Sequence, residues 1–196
     1  MNNSILSVNA LSAGYGKKEI LHNISFSLEP GTLSCLVGKN GCGKSTLLKR
    51  ILHKNGAIQW DGSVSEKGLC EVASGLVVSY VGQDSSRLKG DITSFCREHN
   101  LDLSLFCTIM RQLDFERAQF LKNIEEYSEG QKKKILLASS LLTPAHIYIW
   151  DEPLNYIDVF SRMQIEKLLL EYKPTMLFVE HDVRFRERIA TRTIEL

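Results

Sequence analysis

The chain has 196 residues, enough for one domain with a real core and a small subdomain. Its 43% hydrophobic and 24% charged content fits a globular protein, and a net charge of +1 neither demands nor excludes a nucleic-acid partner. Cys35, Cys42, Cys70, Cys96 and Cys107 are scattered without CxxC spacing, which argues against zinc and a disulfide framework; no leader pattern and no apolar run near the ~20 residues that span a bilayer is present, so a cytoplasmic domain is expected.

Ile5 to Val8 and Ile20 to Leu28 read as strands, and Pro30-Gly31 as a turn. Leu33 to Val37 is an apolar strand that runs into a glycine-rich loop. Ser45 to Leu52 then fits a helix. Ile58 to Ser65 reads as a hairpin around Asp61-Gly62, and Leu76 to Val81 as a buried strand ended by Gly82-Gln83. From about 91 to 122 strand signals vanish. Phe95, Leu105, Ile109, Leu113, Phe115 and Phe120 recur at helical spacing, which predicts a small helical insertion. A helix follows Gly130, with Lys132-Lys133-Lys134 read as a solvated face or else as a contact for RNA or an acidic partner. Ile147 to Trp150 is a core strand ending at Asp151. Phe160 to Tyr172 is a crossover helix, and Thr175 to Val179 a strand ending at Glu180-His181. Strands alternating with helices predict an α/β fold with a mainly parallel sheet, which binds ligands at its carboxyl edge.

Gly38 to Ser45 matches GxxxxGK[ST] between a strand and a helix. Glycines let successive backbone N–H groups converge on phosphate oxygens. Lys44 supplies a charge to the terminal phosphates, Ser45 a hydroxyl to Mg²⁺, and the helix its positive end. Asp151, at the end of a buried strand, is placed to hold the hydration shell of that ion. Glu152 is suited to accept a proton from an attacking water, and Pro153 stops the strand ladder.

These residues resemble the nucleotide-binding domain of ABC ATPases, over nearly the whole chain and in the family's order. Gly38 to Ser45, with Asn40, Gly41, Gly43, Lys44 and Thr46, looks like Walker A, and Ile147 to Asp151 like Walker B. Glu152 matches the catalytic glutamate. Gln83 matches the Q-loop glutamine that contacts Mg²⁺ and the lytic water, and His181 the switch histidine. Ser128-Glu129-Gly130-Gln131 resembles the signature Ser-Gly-Gly-Gln. Asp158 closes the D-loop, and Tyr15 is placed like the aromatic that stacks on adenine. The resemblance implies a P-loop NTPase of ABC type spanning 1–196, with an N-terminal antiparallel β subdomain and a helical subdomain at about 88–140 inserted in a RecA-like core. It implies Mg²⁺-dependent ATP hydrolysis at an interface with a second ABC domain, identical or not, where Ser128, Gly130 and Gln131 serve the partner's nucleotide.

The D-loop run Glu-Pro-Leu-Asn-Tyr-Ile-Asp, with Asn155 and Tyr156, resembles the ribosome-binding ABC-F branch. Trp150 to Ile165 and Pro174 to Asp182 look like the second ATPase domain of its antibiotic-resistance members. A transporter ATPase, partnered by transmembrane subunits, is the competing reading. A third is a module that uses ATP only to switch assembly, against which Glu152 and His181 speak. The sequence departs from ABC-F proteins in having neither the second domain, nor the long linker, nor the arm insertion, so either an isolated half of a larger protein or a stand-alone single-domain relative is expected. Drug resistance therefore does not carry over. It departs from the signature at Glu129, which speaks against pairing of two identical copies.

Overall fold

A computed structural model describes residues 4–59 and 64–196 of the chain. Two antiparallel strands, β1 (Leu6–Tyr15) and β2 (Lys18–Leu28), lead into β3 (Leu33–Val37), the glycine loop and α1 (Lys44–Asn55). The turn expected at Asp61-Gly62 lies outside the described residues. Beyond it a strand of nine residues, β4 (Val64–Val72), pairs with β1 and makes the three-stranded sheet β2-β1-β4. The chain continues through β5 (Val78–Val81), α2 (Ile92–Glu98), α3 (Leu103–Gln112), two 3-10 turns at Arg117–Leu121 and Ile124–Glu126, and α4 (Glu129–Leu142). Then come β6 (Ile147–Asp151), α5 (Val159–Tyr172), β7 (Met176–Val179), α6 (Val183–Ile189) and β8 (Arg192–Glu195). The last two elements have no counterpart in the sequence reading.

The second sheet is parallel, in the order β5-β6-β7-β3-β8. Its strands are covered on both faces, as their near-continuous apolar character requires. Leu36, Ile149, Leu177 and Val179 pack with Leu47 and Ile51 of α1 on one face. Cys35, Trp150, Met176 and Phe178 pack with Leu137 of α4 and Ile165 of α5 on the other. The two-residue alternation of these side chains sorts each strand between two cores. Trp150 is fully buried, and its indole N–H donates to Ser140 Oγ at 2.9 Å. Truncating a buried aromatic of this size costs about 3–5 kcal/mol.

A third cluster, built on Phe95, Phe106, Met110 and Ile124, is the core of the helical part. One hydrogen bond closes this part on itself, and another ties it to α5. Gly90 C=O accepts from Ile124 N at 2.8 Å, and Leu113 C=O accepts from Ser161 Oγ of α5 at 2.9 Å.

The register aligns the carboxyl ends of four strands. Leu36 and Asp151 both lie opposite Val179, and Trp150 opposite Val81. The glycine loop, Gln83, Asp151-Glu152 and Glu180-His181 therefore leave the sheet at one edge, where open parallel sheets bind ligands.

Candidate nucleotide site

The glycine loop is shaped by what a Cβ would strike. A Cβ on Gly43 would lie 2.6 Å from Leu21 Cδ2 and 2.9 Å from Ile20 Cγ2, so the loop is pressed on β2. Gly43 also has φ +101°, and Gly41 φ +80°, conformations that side-chain-bearing residues avoid. Lys44 is buried, and its ammonium donates to Gly38 C=O at 2.7 Å and Lys39 C=O at 3.0 Å. The charge is held over the loop that would receive phosphate. Asn40 and Gly41 are exposed at the loop's tip, and Thr46 is half-buried in the first turn of α1.

Ser45 Oγ donates to Asp151 Oδ2 at 3.0 Å. Asp151 is 3% exposed, and its Oδ1 is buried without a hydrogen-bond partner. An orphaned carboxylate oxygen beside a serine hydroxyl is unstable unless a cation or ordered water satisfies it, and an oxygen-seeking divalent cation fits this donor set. Gln83 lines one cleft with Ser45 and Asp151. Tyr80, in the same cleft, has its phenol pushed up to about 12 by burial and by the Asp151 charge, and so stays neutral.

Glu152 follows with φ +51°, in the left-handed region, at a cost of about 1–3 kcal/mol. That turn aims its carboxylate away from Asp151's partners. His181 Nε2 lies 3.1 Å from Glu152 Oε1, and Asn155 Nδ2 donates to Glu152 Oε2 at 2.7 Å. Glu180, which the sequence reading passed over, fixes this arrangement. It is 6% exposed and accepts from Leu154 N at 3.1 Å and His181 N at 2.8 Å. One buried carboxylate thus joins the D-loop to the switch histidine.

The remaining expected residues gather elsewhere. Ser128 caps α4 by accepting from Gln131 N at 3.2 Å, while Gln131 Oε1 accepts from Ser128 N at 2.9 Å. Gln131, expected to bind nucleotide, thus has its amide oxygen committed to a capping box. A Cβ on Gly130 would lie 2.6 Å from Tyr156 O, so the signature turn is packed on the D-loop of its own chain. Asp158 caps α5 through Ser161 N at 2.8 Å and pairs with Lys134 Nζ at 2.9 Å. Tyr15 ends β1 opposite Lys18, and the start of β2 lines a hollow of ~350 Å³ with Gly41 and Cys42.

The lysine run is not a solvated face. Lys133 is 4% and Lys134 8% exposed. Lys133 Nζ donates to Gly82 C=O at 2.9 Å. Four residues beyond them stand Leu137 and Ala138, both buried, and that one-turn spacing is the signal that places these lysines inside. Burial pushes the Lys133 ammonium pKa down, against the pull of Asp151, Glu152 and Glu180. Partial burial works against ionisation of Asp158 too, but Lys134 and Ser161 outweigh it and lower its pKa from 3.8 to about 2. The ionised pair therefore stabilises the fold fully above pH 3.8, and that contribution is lost as pH falls through about 2. Thermal midpoints of wild type and Asp158→Asn should accordingly converge between those two values. A gap that persists at the lower one would contradict the pairing.

No helix among the described residues is long and apolar enough to cross a membrane. A family model described as "ABC transporter" matches residues 21–155. The chain is 34% identical to the ATP-binding protein YdiF of Bacillus subtilis, over 99% of this chain and 30% of that protein. It is 31% identical to the ribosome protection protein VmlR of the same organism, over 93% of this chain and 32% of that one. The ATP-binding protein Uup of Buchnera aphidicola is 30% identical, with 89% of this chain and 29% of that protein covered. The chain thus spans about a third of the length of these relatives. A solved structure titled "Structure of ATP binding subunit of ABC transporter" superposes with a TM-score of 0.75 at 20% identity, covering 98% of this chain and 86% of that one, which concerns the fold alone. A loop shaped for phosphates, two acidic residues at one sheet edge and a family match across both have a common explanation: the chain belongs to the ABC family as an ATP-hydrolysing, nucleotide-binding domain.

Proposed function

We propose that this domain hydrolyses ATP held between two copies of itself, as an ABC-F-type, ribosome-associated ATPase of the cytoplasm. Lys44 and the loop amides hold the phosphates. Glu152 accepts a proton from the attacking water, and His181, bonded to Glu152, steers both toward the γ-phosphate. Ser45 and Gln83, with Asp151 behind them, would hold Mg²⁺, which supplies charge neutralisation at the phosphates. Ser128 and the Gly130 backbone donate to the nucleotide of the other copy. The contacts of Ser128, Gly130 and Gln131 run to one another and to the D-loop, which leaves the signature to serve a partner. Glu129 bonds within its own chain, where Ser85 Oγ donates to its Oε2 at 2.8 Å.

The branch rests on Asn155. Its amide bonds the carboxylate proposed to do the chemistry, and it belongs to the D-loop run that resembles the ABC-F branch. Similarity to a relative named as a ribosome protection protein supports the same reading. The Glu152→Gln chain, loaded with ATP, should co-sediment with ribosomes and leave them when ATP is removed. Co-fractionation with membranes and not with ribosomes would overturn it in favour of a transporter subunit. That second reading has its own support in the cleft of ~670 Å³ beside Gln83, lined by Tyr80, Arg87, Phe95 and His99, where a helix of a membrane partner could seat.

A further inference from the structure

Gln83 lies between two residues that are each fastened to α4. Immediately before it, Gly82 C=O accepts the Lys133 ammonium at 2.9 Å. Two residues after it, Ser85 Oγ donates to Glu129 Oε2 at 2.8 Å, and Lys132 Nζ lies 3.8 Å from the other Glu129 oxygen. Both fastening side chains come from the first turns of the helix that Ser128 caps.

Neither contact is ordinary packing. Burying an ammonium costs several kcal/mol, and an apolar side chain at that place would serve a core better. Lys133 is nevertheless 4% exposed with a single carbonyl acceptor, in the field of Asp151, Glu152 and Glu180. Those carboxylates oppose the effect of burial on the ammonium. Glu129 stands at a signature position where glycine is usual, and a glycine could not reach Ser85. The departure is thus put to use within the chain.

We propose that Lys133 and Glu129 are positioning residues that clamp the Gly82–Ser85 segment to α4, so that Gln83 and the signature serine move as one unit. Approach of Ser128 to a partner's nucleotide then sets Gln83 at the chain's own metal position. This inference rests on the nucleotide-sandwich reading and adds to it the link between the two sites of one chain.

The test uses the full chain with Lys133→Met, Lys133→Arg and Glu129→Ala. In Lys133→Met, kcat should fall roughly tenfold while KM for ATP stays within about twofold, because one charge-assisted bond is lost and the phosphate contacts remain. Lys133→Arg, still able to donate to Gly82, should recover part of that loss. Glu129→Ala alters an exposed side chain, should fold normally, and should lower kcat about threefold. Arg87 and Lys89 stand just beyond the clamp and are exposed. Trypsin should cut after them roughly tenfold faster in Lys133→Met and Glu129→Ala, as a released segment opens more often. Unchanged kcat with unchanged cleavage would overturn the clamp, as would a KM that rises in step with the fall in kcat. A wild type without turnover would instead overturn the proposed function, and the cleavage rates would still decide whether the clamp exists.

Discussion

Replacing Glu152 by glutamine is expected to lower ATP turnover by about 10²–10³-fold while leaving nucleotide affinity nearly unchanged. The amide keeps the shape and can still bond Asn155 or His181. It cannot accept a proton from water. The geometry isolates this role well. Asp151 accepts from Ser45 Oγ, and its carboxylate is buried. Glu152 turns away through a left-handed residue and is held at both oxygens, by His181 and Asn155. Two adjacent acids thus have separate tasks because the backbone reverses between them. Steady-state phosphate release with a parallel nucleotide-binding titration checks the expectation. A variant that binds and hydrolyses at the normal rate would remove Glu152 from the chemistry.

Lys44→Ala is expected to weaken ATP binding by roughly 10–100-fold, since a charge-assisted contact to phosphate is worth about 1.5–3 kcal/mol. Its effect on folding should be small. The ammonium's partners are Gly38 and Lys39 carbonyls in an exposed loop, which water can satisfy. Thermal melting and fluorescent-nucleotide titration separate the two. Lost affinity with an unchanged midpoint is the expected pair of results. Unchanged affinity would contradict the assigned phosphate loop.

Much of this site was legible in the sequence because short stretches of chain carry it. Strand, glycine loop and helix follow one another from Leu33 to Asn55, and both acids end a single strand. Short, nearly continuous apolar runs marked β3, β6 and β7, because each strand packs against two cores. Three things were not legible. β4 is largely polar, and its partner β1 is some sixty residues earlier, so the pairing has no local signal. Three register shifts in the β1–β2 ladder and the left-handed Ala10 interrupt the alternation that would have marked that strand's full length. β8 is only Arg192–Glu195, and of its side chains only Ile194 is buried, so tertiary pairing with β3 alone makes it a strand. Lys133 was misread because charge runs are usually solvated, and its half-buried acceptor, Gly82, is distant in sequence. Glu180 fell to the same cause: its acceptor role depends on Leu154 of the D-loop, brought close only by the β6–β7 pairing.

In the proposed mechanism, ATP joins two copies of this domain through the signature turn of each. The solution mass of Glu152→Gln by light scattering, with and without Mg-ATP, tests it most directly. The mass should double with Mg-ATP, revert on nucleotide removal, and stay single when Ser128→Arg is added. A protein that holds ATP and keeps the mass of a single chain would contradict it.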